Sequence, residues 1–370
     1  MVVVGAGQAG LATGYHLRRA GLEAGRGFVL LDAEGSAGGS WQHMWDSLRL
    51  FSPAQFSSLP GWPMPAWTGD RGYPPADHVV AYLRTYQERY DLPVHRGVRV
   101  LRAEPADDRP GSRLVVHTDA GRWHARVVVS ATGQWRSPFV PTYPGAASFA
   151  GQQLHTIDYR SPDQLAGRRV LVVGGGNSGA QVVADLHSRT PTSWVTPRPP
   201  RFLPDDVDGR VLFDVATRRR QALDSGSPDP GGVGGLGDIV AVPPVRAARA
   251  AGALHALPPP SRLTETGVAW GDGGSLDVDT IVWCTGFRPH LRHLAPLHLR
   301  RSGGTPVTSG TRAADDPRVH LVGYGDWTSP ASATLIGVGR TARDTAAEIT
   351  AYLARPAPGA RGVSKVLRRS

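Results

Sequence analysis

Two glycine-rich hexapeptides, Gly5-Ala6-Gly7-Gln8-Ala9-Gly10 and Gly174-Gly175-Gly176-Asn177-Ser178-Gly179, each follow an apolar run and precede a stretch of helical character. Glycine at these positions lets the backbone turn tightly, approach a pyrophosphate and pack a helix against a strand, while the free N–H groups and dipole of that helix attract the anion. A single copy of this spacing also suits an ordinary turn. Two copies in the same strand-turn-helix context predict two bound dinucleotides and electron transfer between them. The candidates are Gly5, Gly7, Gln8 and Gly10 at the first site and Gly174, Gly176, Asn177, Ser178 and Gly179 at the second.

The preference of each site is set by the residues that close the second strand of its unit. Phe28-Val29-Leu30-Leu31 ends in Asp32, a carboxylate that accepts hydrogen bonds from ribose hydroxyls and repels a 2′-phosphate, so FAD or NAD suits that site. In the second unit the strand at residues 193–196 runs into Pro197-Arg198-Pro199-Pro200-Arg201, with no acid before Asp205. Guanidinium groups there suit a 2′-phosphate, and the second nucleotide is read as NADPH with Arg198 or Arg201 upon it. Composition alone also puts arginine in loops of this chain, which has lysine only at Lys365. The histidines lie singly, without metal-ligand spacing, so no metal is expected. Cys284 is the one cysteine, which removes dithiol chemistry and intramolecular disulfides.

These residues need strands and helices to carry them. Val2-Val3-Val4 leads into a helix over residues 11–20, and Val170-Leu171-Val172-Val173 into one over 180–188. Residues 77–90 read as a third helix and 94–129 as short strands forming a small antiparallel sheet. The strand at 126–129 ends in Ser130-Ala131-Thr132-Gly133, and the one at 280–283 ends in Cys284-Thr285-Gly286. This repeat makes Ala131, Thr132, Gly133, Thr285 and Gly286 candidates for cofactor contact, a plain turn being the alternative. Residues 224–237 read as a loop and 332–352 as mostly helical. Between 40 and 75 lie Trp41, Trp45, Phe51, Phe56, Trp62, Trp67 and Tyr73 among prolines and serines, either a wall of the substrate pocket or packing over the first sheet. The expected fold is α/β, with two three-layer Rossmann-like dinucleotide-binding domains and a small antiparallel sheet. The first domain, for FAD or NAD, would be discontinuous, 1–160 and 285–354, with the NADPH domain, 161–284, inserted into it and a basic disordered tail at 355–370.

At 370 residues and 40% hydrophobic content the chain is long enough for two domains. The net charge of +10 raises nucleic acid as a partner, but half of it sits on Arg355, Arg361, Lys365, Arg368 and Arg369, without a stacking platform beside them. No nucleic-acid partner is expected. No apolar run reaches the ~20 residues of a membrane span, and no signal peptide precedes the first strand, so the expected location is cytoplasmic.

The segment Phe149-Ala150-Gly151-Gln152-Gln153-Leu154-His155-Thr156-Ile157-Asp158-Tyr159 fits Phe-x-Gly-x-x-x-His-x-x-x-Tyr at every fixed position, just before the second glycine motif. The chain thereby resembles the flavin-containing monooxygenases in their broad sense. Gly38-Gly39-Ser40-Trp41 is similar to the family's Gly-Gly-x-Trp element along the FAD, implying roles for Gly39, Ser40 and Trp41. Ala131-Thr132-Gly133 and Cys284-Thr285-Gly286 look like its two linker turns, and Gly325-Asp326 resembles its acidic turn at the FAD ribityl-phosphate. In the family Phe149, Gly151, His155 and Tyr159 would form a hinge motif rather than perform chemistry. The segment Ser52-Pro53-Ala54-Gln55 and the run Arg201 to Asp206 look most like a small bacterial subgroup, some members of which are associated with arsenic resistance.

The resemblance implies NADPH reducing FAD, reaction of reduced flavin with O2 through a C4a-(hydro)peroxide, and transfer of one oxygen atom to a small-molecule substrate. Partners would be that substrate and O2, with a homodimer left open. One departure stands out: the family's Asn-x-Pro is replaced by Leu50-Phe51-Ser52-Pro53, so Ser52 or Gln55 would have to supply the catalytic hydrogen bond. The alternatives are a reductase or oxidase passing electrons to a small acceptor, and a nucleotide-binding sensor without turnover.

Overall fold

The computed structural model describes residues 1–69, 72–109, 111–231 and 237–355. Among them the α-helices are α1 (Gln8–Arg19), α2 (Ala76–Arg89), α3 (Asn177–Leu186), α4 (Gly209–Asp224), α5 (Pro243–Ala250) and α6 (Val338–Ala354).

Runs that are apolar at every position, such as Val2-Val3-Val4, belong to parallel strands covered on both faces. The first sheet has the order Thr308–Ser309, Arg312–Ala313, Val319–Leu321, Val128–Ser130, Val2–Val4, Val29–Asp32, Val94–Arg96; the last five are parallel and the first two pair antiparallel. Alternation along each strand then sorts the side chains. Val3, Leu30 and Val129 pack with Leu11 and Leu17 of α1, Tyr82 of α2 and Ile349 of α6. Val2, Val4, Leu31 and Val128 point the other way, onto Ala103, Leu114 and Val116 of the antiparallel sheet Val100–Pro105, Leu114–Thr118, Gly121–Ala125. Helices, sheet and small sheet make three layers.

The second unit repeats the plan. Its parallel sheet runs Ala256–Leu257, Thr192–Val195, Val170–Val173, Thr280–Trp283, Gln152–His155. Val170, Val172 and Val282 pack with Val182 and Val183 of α3 and Val245 of α5. Leu171, Val173 and Ile281 pack with Leu263 and Val268 of a second three-stranded antiparallel sheet. The chain passes from the first sheet to the second between Ser130 and Gln152, and back between Trp283 and Thr308.

Three details depart from the sequence reading. Residues 152–155, read as part of the first unit, form the edge strand of the second sheet; an edge strand needs no apolar run, and Gln152-Gln153-Leu154-His155 has none. Val94–Arg96 is the edge strand of the first parallel sheet rather than part of the small one. The helices α4 and α5 were not visible in the sequence; α4 buries only Gly209 and Ala216, too thin a stripe to read as periodic. The basic tail from 356 onward and the centre of the 224–237 loop, 232–236, lie outside the described residues.

Candidate dinucleotide and substrate sites

At the first glycine motif, backbone meets backbone. Gly5 has φ +97°, and a Cβ there would lie 2.6 Å from the Ala131 carbonyl oxygen; one on Gly10 would lie 1.9 Å from that of Gly5. Gly39 likewise presses on Gly7, where its Cβ would come within 2.9 Å of Cα. α1 opens on Gly7 with no side-chain cap, which leaves its first-turn N–H groups unsatisfied by side chains. Beside it lies a cavity of about 710 Å³, lined by the glycine turn with Gln8, by Asp32, by Gly39, Ser40 and Trp41, and by Ala131, Thr132 and Gly133. An uncapped helix end, a glycine cradle and a cavity of this size fit FAD. Trp41 is fixed there by donating its indole N–H to Gln8 Oε1 at 3.0 Å.

Asp32 ends its strand 6% exposed. Its carboxylate accepts the Ala6 and Glu34 N–H groups, each at 2.9 Å, and pairs with Arg96 at 2.8 Å. A carboxylate offers about four acceptor positions, so one remains for a ribose hydroxyl. Sequence reasoning missed the neighbouring cluster. Glu34 accepts from Arg136 at 2.7 Å and contacts His43 at 3.3 Å, and these two hydrogen bonds outweigh burial and hold its carboxyl below the usual range. His43 stacks on Trp135, and Trp135 on Phe287. The cluster joins three segments distant in sequence, and no spacing announces it.

Each linker turn is bonded to the segment that follows the other. Thr132 Oγ1 donates to the His290 carbonyl at 2.6 Å, and the His290 N–H donates to Gly133 O at 2.9 Å. From the other side, the Phe139 N–H donates to Gly286 O at 3.0 Å, and Thr285 Oγ1 donates to Phe139 O. His155 Nε2 also lies 3.0 Å from Gly286 O; burial lowers the pKa of this ring, leaving the neutral tautomer that donates here. The rest of its motif is packing. A Cβ on Gly151 would lie 2.6 Å from Asp279 O, Phe149 joins the core of the second unit, and Tyr159 donates to Asp185 at 2.7 Å.

At the second glycine motif the cradle recurs. Gly174 has φ +139° and its Cβ would lie 2.2 Å from Cys284 O; that of Gly179 would lie 2.1 Å from Gly174 O. Gly176 caps α3 without a side-chain bond and faces open space, where a Cβ would meet nothing within 4 Å. Ser178 lies in the first turn of α3, and Asn177 Oδ1 accepts the Val240 N–H at 2.8 Å. Both candidate arginines are exposed, and Arg201 holds Asp238 at 2.9 Å through Nε and Nη2. Cys284 is buried against this turn, and burial pushes its thiol up to about 12.

A second cavity, about 420 Å³, shares Trp41 and Ala333 with the first. Leu50, Phe51, Phe56, Phe213 and Leu335 make most of its wall apolar. Ser52, 7% exposed, lines it and is hydrogen-bonded to Ser57 Oγ at 3.0 Å. The expectation for Gln55 is corrected: the helical turn Ala54–Phe56 buries Ala54 and leaves Gln55 exposed, outside both cavities. Gly325 and Asp326 also lie away from the first cavity. They line this second cavity, with Asp326 paired to Arg219 at 3.0 Å, while Gly323 lines the first. Gly-Tyr-Gly offers two glycines, and it is Gly323, packed on Ala9, that the first cavity uses. The aromatic segment divides as well: Phe51 and Phe56 line the cavity, Trp45 packs with the second core and Trp62 with the first.

Residues 2–206 match the pyridine nucleotide-disulphide oxidoreductase family. The flavin-containing monooxygenase of Stenotrophomonas maltophilia superposes with a TM-score of 0.84 at 48% identity, over 95% of this chain and 98% of that one. An uncharacterized oxidoreductase, CzcO-like, of Geobacillus kaustophilus is 36% identical over 58% of each chain. The indole-3-pyruvate monooxygenase YUCCA1 of Oryza sativa is 37% identical over 58% of this chain and 52% of its own. The chain thus spans less than two thirds of the length of either of these two curated relatives. Among the described residues no helix is long and apolar enough to cross a membrane.

Proposed function

Because the chain belongs to the pyridine nucleotide-disulphide oxidoreductase family, and within it to the flavin-containing monooxygenases, we propose that it uses NADPH and O2 to place one oxygen atom on a small molecule held in the apolar cavity beside Trp41. It is an oxidoreductase whose cofactors are FAD and NADPH. The observation that carries the reading is the shared wall: an apolar cavity of about 420 Å³ adjoins the dinucleotide cavity at Trp41 and Ala333.

Bound FAD supplies the redox chemistry that couples NADPH oxidation to O2 activation. The chain's own residues bind, orient and exclude water. The uncapped end of α1 and its glycines hold the pyrophosphate, and Asp32 takes the ribose. The same construction at α3 holds NADPH, with Arg198 as an exposed cation for its 2′-phosphate. Leu50, Phe51, Phe56 and Phe213 keep water off the reacting end of the cavity, where a reactive oxygen species would otherwise be lost. Ser52 and Ser57 are the paired hydroxyls on that wall.

The test is to give the FAD-loaded protein NADPH and ¹⁸O2 with a panel of nitrogen, sulfur, arsenic and ketone compounds. One ¹⁸O atom per product is expected, with hydrogen peroxide well below the NADPH consumed. Peroxide equal to NADPH across the whole panel would sink the proposal. It would favour the second reading, an NADPH oxidase, which is supported by Ser52 standing where the family's asparagine is expected and by Gln55 lying outside the cavity. Dithiol reduction has no such support, since the one cysteine is buried and its thiol stays protonated.

A further inference from the structure

By chain position α4 belongs to the second unit, yet one of its faces closes a cavity whose other walls, Asn177 of α3 apart, come from the first. Leu212, Phe213, Ala216 and Arg219, spaced so as to share one side of the helix, line the cavity opposite Leu50, Phe51 and Leu335. Ala216 is the small member of this stripe and is 7% exposed. Only Gly209 and Ala216 of α4 are buried, so apolar packing alone does not fix the face.

Contacts at both ends fix it instead. At the start, Gly209 sits so near the serine segment that a Cβ would lie 2.6 Å from Ser52 Cβ, and its N–H donates to Phe51 O at 2.8 Å. Asp208 caps the helix by accepting the Arg210 N–H at 2.8 Å and is itself held by the Tyr73 hydroxyl at 2.5 Å. Towards the end, Arg219 pairs with Asp326 at 3.0 Å, and Arg220 reaches Ser329 at 2.9 Å. Arg340 of α6 donates to Thr217 at 2.7 Å and lies 5.2 Å from the Phe213 ring centre. Each of these, apart from the cap itself, ties α4 to the first unit.

We propose that the Leu212–Phe213–Ala216 face of α4 is the size filter for the substrate, braced across the two units by the Arg219–Asp326 pair. The proposal rests on reading this cavity as the substrate site. Ala216 leaves the space into which the larger end of a substrate extends, while Leu212 and Phe213 bound it on either side.

Two probes of graded size, methyl phenyl sulfide and methyl 2-naphthyl sulfide, are titrated into the oxidised FAD-loaded protein, and binding is followed by the change in flavin absorbance. Ala216→Phe is expected to weaken the naphthyl probe about tenfold more than the phenyl probe, the scale that one misfitting group costs in an apolar pocket. Leu212→Ala is expected to shift the ratio the other way, which keeps the test decisive if the larger side chain impairs folding. Arg219→Gln should narrow the discrimination several-fold. Equal changes for both probes in Ala216→Phe and Leu212→Ala would overturn the filter, and unchanged discrimination in Arg219→Gln would overturn the brace. If neither probe binds the parent protein, the cavity reading fails and the filter with it. Binding without ¹⁸O transfer would sink the monooxygenase reading and leave the filter standing.

Discussion

Arg198 and Arg201 stand three residues apart, yet their surroundings separate them. Arg201 grips Asp238 through two nitrogens, and that contact, with Arg198 nearby, holds the Asp238 carboxyl below its ordinary range. Arg198 is exposed on the turn that closes the second strand of its unit. Arg198→Ala is therefore expected to raise the apparent constant for NADPH by about ten- to a hundredfold, the scale of one lost charge-assisted contact, and to leave NADH nearly unchanged. Steady-state kinetics with both cofactors checks this; equal weakening would put the 2′-phosphate elsewhere. The glycines and Asp32 were legible in the sequence because their roles depend on local backbone geometry at a strand end. Gln55 and Asp326 were not, because a single helical turn or a two-residue offset decides which cavity a side chain reaches. Nor was the Glu34, His43 and Arg136 cluster, which only tertiary structure assembles.

At the scale of elements, the two strand-turn-helix units make the same demand of different glycines. In the second unit Gly174 lies against the Cys284 backbone at φ +139°, whereas Gly176 faces open space. Gly174→Ala should lower the unfolding free energy by about 3 kcal/mol or more, through strain and overlap with backbone that cannot yield. Gly176→Ala should change stability by less than about 1 kcal/mol, while weakening NADPH, whose pyrophosphate would meet the added methyl group. Thermal unfolding paired with NADPH titration separates the two, and the reverse pattern would contradict this geometry. Central strands such as Val170–Val173 announce themselves by unbroken apolar runs; the edge strand Gln152–His155 does not, because one side of it has no partner to pack on. α4 escaped for a related reason: salt bridges and a tight glycine contact hold it, and these leave no periodic signature.

Across the whole molecule, two buried histidines tie stability to pH. Burial pushes His293 down to about 3 and His320 down to about 4, and the Nε2 of each has no hydrogen-bond partner among the described residues. Both rings are neutral when folded and titrate near their ordinary value of 6.5 when unfolded. Unfolding thus takes up protons below that value: stability is complete above it and declines as pH falls towards the folded values. Each ring should cost ~1.4 kcal/mol per pH unit over the steep part of that range, and urea unfolding between about pH 7 and 4 measures it; a flat profile would contradict the burial of these rings. A further consequence follows from the linker turns, where Thr132 and Gly133 are hydrogen-bonded to His290, and Phe139 to Gly286. Neither turn can shift without pulling on the other, so the occupancy of one nucleotide is written into the energy of the other's cradle. Thermodynamic linkage then requires symmetry. Whatever factor bound FAD contributes to the affinity for NADP⁺, bound NADP⁺ returns to FAD.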